Sequence, residues 1–190
     1  MKVGLYFGSF NPIHTGHLII ANHVANTKLV QQVWLVVSPQ NPLKPSKSLL
    51  NEYHRLHLAQ IAVSNNPVLK VSDVEFKLPK PSFTIDTLTY LSEKYPKYEF
   101  SIIVGSDSFQ NLHRWKNHEV LLKNYPFLVY HRPQFPIQEI KTAKSITVLE
   151  APLLDISATF IRDSIKKGNS IQYLVPDLVA KEVEENGYYK

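Results

Sequence analysis

A chain of 190 residues, 44% hydrophobic and 19% charged, has the make-up of a soluble folded protein with a substantial core. It contains no cysteine, which excludes disulfides, thiolate metal sites and a cysteine nucleophile. The net charge of +5 is spread in ones and twos, with no basic run and no aromatic-interleaved motif, so it suits polyphosphate ligands and argues against nucleic acid as a partner.

Residues 2–7 form the first apolar run and read as a buried strand. Gly8-Ser9-Phe10-Asn11-Pro12-Ile13-His14-Thr15-Gly16-His17 follows, and a helix is expected over 16–28. The loop breaks any apolar core a signal peptide would need, and no apolar run approaches the ~18 residues of a membrane span. The expectation is a cytoplasmic chain without a membrane partner. Strand, glycine-containing loop and helix in this order aim backbone amides and a helix amino end at an anion. Gly8 and Gly16 are expected to let the backbone approach a ligand, and Asn11-Pro12 to enforce an extended turn. His14 and His17 are three apart, so both imidazoles can donate to phosphate oxygens from one face of the first turn. The plainer reading is a strand–helix turn carrying two solvated histidines; the two together, directly after a first strand, favour phosphate.

Further strands are expected at 33–38, 69–75, 99–104, 126–130 and 145–149, and helices at 51–65, 84–95, 116–123, 157–167 and 176–186. After the second strand, Ser38-Pro39-Gln40-Asn41-Pro42-Leu43-Lys44-Pro45 is a restrained, exposed loop; Lys44 either reaches a polyphosphate or is simply solvated. The helix from 51 carries Tyr53, Leu56, Ala59, Ile61, Ala62 and Val63 on its apolar side, while His54, Arg55 and His57 read as surface or structural groups. In Lys80-Pro81-Ser82-Phe83-Thr84-Ile85-Asp86-Thr87-Leu88, Ser82 or Thr84 can cap the next helix, and the same helix start can hold a carboxylate. Gly105-Ser106-Asp107 at a strand end suits a nucleoside. Trp115, between Arg114 and Lys116, is either a core anchor or a stacking platform for an aromatic ring. Finally Asp155-Ile156-Ser157-Ala158-Thr159-Phe160-Ile161-Arg162 opens a helix with Ser157 as N-cap. Its hydroxyls, amides and guanidinium amount to a second phosphate clamp.

Near-continuous apolar strands alternating with helices indicate an α/β fold, a Rossmann-like doubly wound and mainly parallel sheet with helices on both faces. Every motif begins at the carboxyl end of an expected strand, where such sheets bind ligands. One domain spanning 1–190 is expected, with residues from about 150 to 190 carrying the last motif and the closing helices. A Gly-x-Gly-x-x-Gly fingerprint is absent, which disfavours a dinucleotide-dependent dehydrogenase.

Gly8-x-Phe10-x-Pro12-Ile13-His14-x-Gly16-His17 resembles the signature of the nucleotidyltransferase superfamily with the His-x-Gly-His motif. Ser82-Phe83-Thr84-x-x-Thr87-Leu88, Gly105-x-Asp107 with downstream Trp115, and Ile156-Ser157-x-Thr159-x-Ile161-Arg162 are similar to the bacterial nicotinate-mononucleotide adenylyltransferases within it. The resemblance implies transfer of AMP from ATP to nicotinate mononucleotide, with Mg2+ bound to the ATP phosphates and no protein metal site. It implies catalytic roles for His14, His17, Lys44 and Arg162. Gly8, Ser9, Phe10, His17, Gly105, Asp107, Ile156, Ser157, Thr159 and Arg162 would bind ATP, and Asn41, Lys44, Phe83, Thr84 and Trp115 the acceptor. The chain departs from the family pattern at Leu43, where histidine is usual, at Phe83 for tyrosine, and at Lys116, where an aromatic residue is common. Phosphopantetheine adenylyltransferase, a cytidylyltransferase and a non-catalytic nucleotide-binding domain are the alternatives. Whether the chain is a monomer or a homo-oligomer stays open.

Overall fold

In the computed structural model, which describes residues 1–42, 49–132, 134–137, 143–152 and 154–190, strand β1 (Lys2–Gly8) lies at the centre of the sheet. It pairs in parallel with β2 (Gln32–Val37) on one side and β4 (Glu99–Gly105) on the other. With β3 (Leu69–Ser72), β5 (Phe127–Tyr130) and β6 (Ile146–Leu149) the sheet has six strands among the described residues, all parallel, in the order β3-β2-β1-β4-β5-β6. This is a doubly wound order, and the chain reverses direction across the sheet between β1 and β4.

The inner strands β1, β2, β4 and β5 bury both faces along most of their length, which is why their sequences are largely apolar rather than alternating, while the edge strands β3 and β6 are only partly covered. Alternate side chains supply two cores. Tyr6, Leu35, Val37, Ile103 and Leu128 meet helices α1 (Thr15–Asn26), α2 (Glu52–Val63), α6 (Ala158–Lys166) and α7 (Asp177–Glu185). Val3, Leu5, Ile102, Val104 and Val129 meet α3 (Thr84–Lys94), the short α4 (Ser106–Gln110) and α5 (His118–Asn124) on the opposite face. α7 is fastened to α2 by His57 Nε2 at 3.4 Å from a Glu182 oxygen, and just beyond it Tyr188 pairs with His54 at 2.9 Å. Among the described residues no helix is long and apolar enough to cross a membrane.

The expected elements all form, with local differences. The third strand ends at Ser72, and Val74–Lys77 turns as a 3-10 helix instead of extending the strand. α4 was unexpected because Gly105-Ser106-Asp107 reads as loop. Neither Ser82 nor Thr84 caps α3: Phe83 stands at the N-cap, and buried Ser82 turns its amide and hydroxyl to the Gln40 carbonyl (3.3 and 3.4 Å). On α2, Tyr53 is 65% exposed, while Arg55, Leu58 and Ala59 are the fully buried side chains.

Candidate active site

At the β1/β4 reversal the carboxyl ends of the strands open into a cleft of about 880 Å3. Its floor is the loop from β1 to α1. Phe10 takes a left-handed backbone (φ 43) and buries its ring, which lies where a Cβ on Gly8 would sit, 2.8 to 3.0 Å from that ring's carbons. A Cβ on Gly16 would stand 3.2 Å from the His14 ring, and one on Gly105 would collide with an Asp107 carboxylate oxygen. These glycines make room for the protein's own side chains, Phe10 at Gly8, His14 at Gly16 and Asp107 at Gly105.

His14 is the N-cap of α1 rather than part of its first turn, with extended backbone. Its ring nevertheless lies against that of His17, centroids 3.6 Å apart and tilted by 30°. The His14 amide donates to Nδ1 of His17 at 3.3 Å. A neutral His17 with Nδ1 as acceptor carries its proton on Nε2, which makes Nε2–H the donor this ring can offer a ligand. His14 is 6% exposed, and its Nδ1 has no hydrogen-bond partner among the described residues. Burial, reinforced by the charge of Arg132, lowers its pKa to about 4, so it is neutral at physiological pH. At the start of α1 the Thr15 amide is occupied by the Leu174 carbonyl (2.9 Å) and its hydroxyl meets the Tyr173 carbonyl (3.3 Å), so the 173–174 turn fixes this end of the helix.

Two arginines fasten the loop. Arg162 on α6 donates to the Asn11 carbonyl (2.8 Å) and to the Thr159 hydroxyl (3.2 Å), while Ser157 caps α6 by accepting from the Phe160 amide (3.1 Å). Arg55 is fully buried and donates to the carbonyls of Leu50 (2.8 Å), Ser9 (2.5 Å), Ser38 (2.8 Å) and Pro39 (3.0 Å). It ties the segments after β1 and β2 to α2, a structural role and no surface one. The far wall of the cleft holds residues that sequence reasoning missed. Nε of Arg132 lies 3.2 Å from Asp107 Oδ1, an ion pair without hydrogen-bond alignment, and its guanidinium stands 5.6 Å from the Tyr130 ring. Tyr130 and Tyr6 bring their hydroxyls within 3.4 Å, buried. The signal for Arg132 was its place just past the fifth strand, where the other motifs also stand after theirs.

The cleft thus collects Gly8, Ser9, Phe10, His14, His17, Asp107, Ile156, Ser157, Thr159 and Arg162, with Gly105 directly behind Asp107. Phe83, Thr84, Trp115 and Asn41 are not in its lining. Phe83 and Trp115 pack instead on the α3-side core, and Lys116 links the two segments by pairing with Asp86 above the Phe83 ring. Ser82 joins this patch to the loop after β2 that carries Asn41, and the segment from Asp107 to Trp115 connects it to the cleft. Lys44 and Leu43 lie outside the described residues. Among the described residues no group of three or more histidines and carboxylates is placed to hold a metal ion. The carboxylates in the cleft lining are Asp107 and Asp155.

The profile of the cytidylyltransferase-like family matches residues 5–164. A probable nicotinate-nucleotide adenylyltransferase of Cytophaga hutchinsonii is 51% identical over 185 residues, covering 97% of this chain and 94% of that one. One of Flavobacterium psychrophilum, with the same description, is 48% identical over 192 residues and covers both chains completely. The solved nicotinic acid mononucleotide adenylyltransferase of Plasmodium falciparum, complexed with NaAD, has the same fold: TM-score 0.84 at 24% identity, covering 99% of this chain and 97% of that one.

Proposed function

Since the chain belongs to the cytidylyltransferase-like family, among the nicotinate-nucleotide adenylyltransferases, we propose a division of labour among its residues in the reaction of that family. The reaction moves AMP from ATP to nicotinate mononucleotide and releases deamido-NAD and pyrophosphate, a step in NAD biosynthesis. A phosphate oxygen of the acceptor forms a bond to the α-phosphorus while the bond to the pyrophosphate oxygen breaks. That oxygen is already anionic at neutral pH, so no general base is needed and catalysis is positioning plus charge stabilisation.

In this reading Nε2–H of His17 donates to the α-phosphate oxygen where charge builds up, held in that tautomer by the His14 amide. His14, neutral and packed against it, fixes the ring and lines the phosphate channel. Ser157, Thr159 and the remaining donors of Arg162 hold the β- and γ-phosphates, with Lys44 reaching the departing pyrophosphate. Gly8, Ser9 and Phe10 shape the floor beneath the triphosphate. Gly105, Asp107 and Ile156 receive the adenosine, and Arg132 adds a cation on the opposite wall. Mg2+ would arrive bound to the ATP phosphates and offset part of their charge. We take the cytoplasm as the compartment of the chain, because its proposed substrates are soluble nucleotides.

For the acceptor, the pyridine ring stacks on Trp115 beside Phe83, Asn41 borders the loop side, and the carboxylate meets the Thr84 hydroxyl and the first amides of α3. The observation that carries the whole reading is the convergence of His14, His17, Asp107, Ser157, Thr159 and Arg162, from both ends of the chain, on one cleft at the sheet reversal. Variants at Trp115 and Thr84 test the acceptor half. Stacking holds nicotinate and nicotinamide alike, so Trp115→Ala lowers kcat/KM for both mononucleotides together. Thr84→Ala narrows the gap between them. Collapse of discrimination in Trp115→Ala with none in Thr84→Ala would overturn this placing of the ring.

A further inference from the structure

Lys116 directly follows Trp115, and its ammonium donates to both carboxylate oxygens of Asp86, at 3.0 and 2.9 Å. It also stands 4.9 Å from the centroid of the Phe83 ring. Asp86 is the third residue of α3, inside the first turn that begins at Thr84. The pair therefore bridges the two segments that carry the aromatic residues of the patch, with both side chains more than two-fifths exposed (44% and 42%).

The electrostatics of that turn are in conflict. The amino end of a helix carries partial positive charge and favours an anion. A carboxylate in the same first turn uses up that charge for the helix and repels a second anion arriving there. Glu75, buried beneath the turn, accepts from the Thr87 hydroxyl at 2.9 Å, and burial raises its pKa against the lowering effect of its hydroxyl partners. Asp86 is the exposed carboxylate of this turn, and Lys116 is the cation seated on it.

We propose that Lys116 sets the preference for an anionic pyridine substituent by neutralising Asp86, so that the pair as a unit is a specificity determinant for the acceptor. This rests on the reading that places the nicotinate carboxylate at the start of α3. A neutral carboxamide feels Asp86 little, so the ion pair matters to nicotinate mononucleotide and hardly to its amide counterpart. The Phe83 ring beneath the ammonium keeps it over the carboxylate rather than extended into water.

The test measures the nicotinate-to-nicotinamide ratio of kcat/KM, with ATP saturating, in wild type, Lys116→Met, Asp86→Asn and the double variant. In Lys116→Met the ratio falls about fivefold, the upper scale of an exposed charge pair. Asp86→Asn alone leaves the ratio at or above that of wild type, and adding it to Lys116→Met restores the ratio to within about twofold of wild type. If the pair only fastens α3 to the segment before α5, Lys116→Met lowers both acceptors equally and the ratio stays put, which overturns the proposal. A ratio that falls in Lys116→Met and is not restored by Asp86→Asn overturns it as well, because Lys116 then meets the carboxylate itself. Failure of the underlying reading shows separately, as a wild type that prefers neither acceptor or a Thr84→Ala variant whose ratio does not move; the proposal falls with it.

Discussion

Replacing Arg55 by methionine removes a buried cation while nearly keeping its volume. The structure gives the guanidinium four carbonyl partners, those of Ser9, Ser38, Pro39 and Leu50, at 2.5 to 3.0 Å. Charged hydrogen bonds of this kind contribute about 1.5–3 kcal/mol each, which would sum to about 6–12 kcal/mol if they were independent. They are not, because burying the charge opposes them: burial holds the Arg55 pKa below the usual arginine range. The net loss on truncation is that of breaking a buried charged network, about 3–5 kcal/mol. Arg55→Lys keeps the charge but gathers its donors at one point, which cannot span four carbonyls. It is expected to lose about 2 kcal/mol or more. Urea unfolding at one pH, with linear extrapolation, reads both losses. Because the Ser9 carbonyl is released in the same step, KM for ATP rises in Arg55→Met even where the variant is fully folded. Stability of Arg55→Met within about 1 kcal/mol of wild type would refute the view that this arginine holds the loops in place.

His17→Ala is expected to lower kcat by about 10²–10³-fold, about 3–4 kcal/mol, with a much smaller change in KM for ATP. Single-turnover kinetics on a folded variant check this, and wild-type kcat would exclude the donor role. The low pKa of His14 predicts acid sensitivity. The unfolded chain takes up a proton near pH 6.5 that the folded chain refuses until about pH 4, so stability is lost as pH falls through that window. The loss from this one group approaches about 3 kcal/mol at the lower end, and urea midpoints across the range should fall less steeply in His14→Asn.

Much of this fold is local in origin and could be read before the structure. Residues 2–7 and 99–104 are apolar on both faces because both faces are covered, and the Gly8–His17 and Ile156–Arg162 motifs sit beside their strands in the sequence. What escaped depends on distant parts of the chain. For Arg55, beside His54 and His57, the sequence leaves surface and structural roles open, and the loops after β1 and β2 folding over it decide for the structural one. Ser82 looks like a cap, but the Gln40 carbonyl, 42 residues away, takes its hydroxyl. Gly8 and Gly16 signal close approach, and the structure adds that Phe10 and His14 pack against them. Arg132 stands just past the fifth strand, but its ion pair with Asp107, 25 residues away, shows only in the folded chain.

The central claim is that the cleft joins ATP to a pyridine mononucleotide bearing a carboxylate. Pyrophosphate release from ATP, followed with nicotinate mononucleotide, nicotinamide mononucleotide or phosphopantetheine as sole acceptor, tests it most directly. Release is expected with nicotinate mononucleotide at a kcat/KM at least about tenfold above that for nicotinamide mononucleotide, and none with phosphopantetheine. Release with phosphopantetheine, or with none of the three, would contradict it.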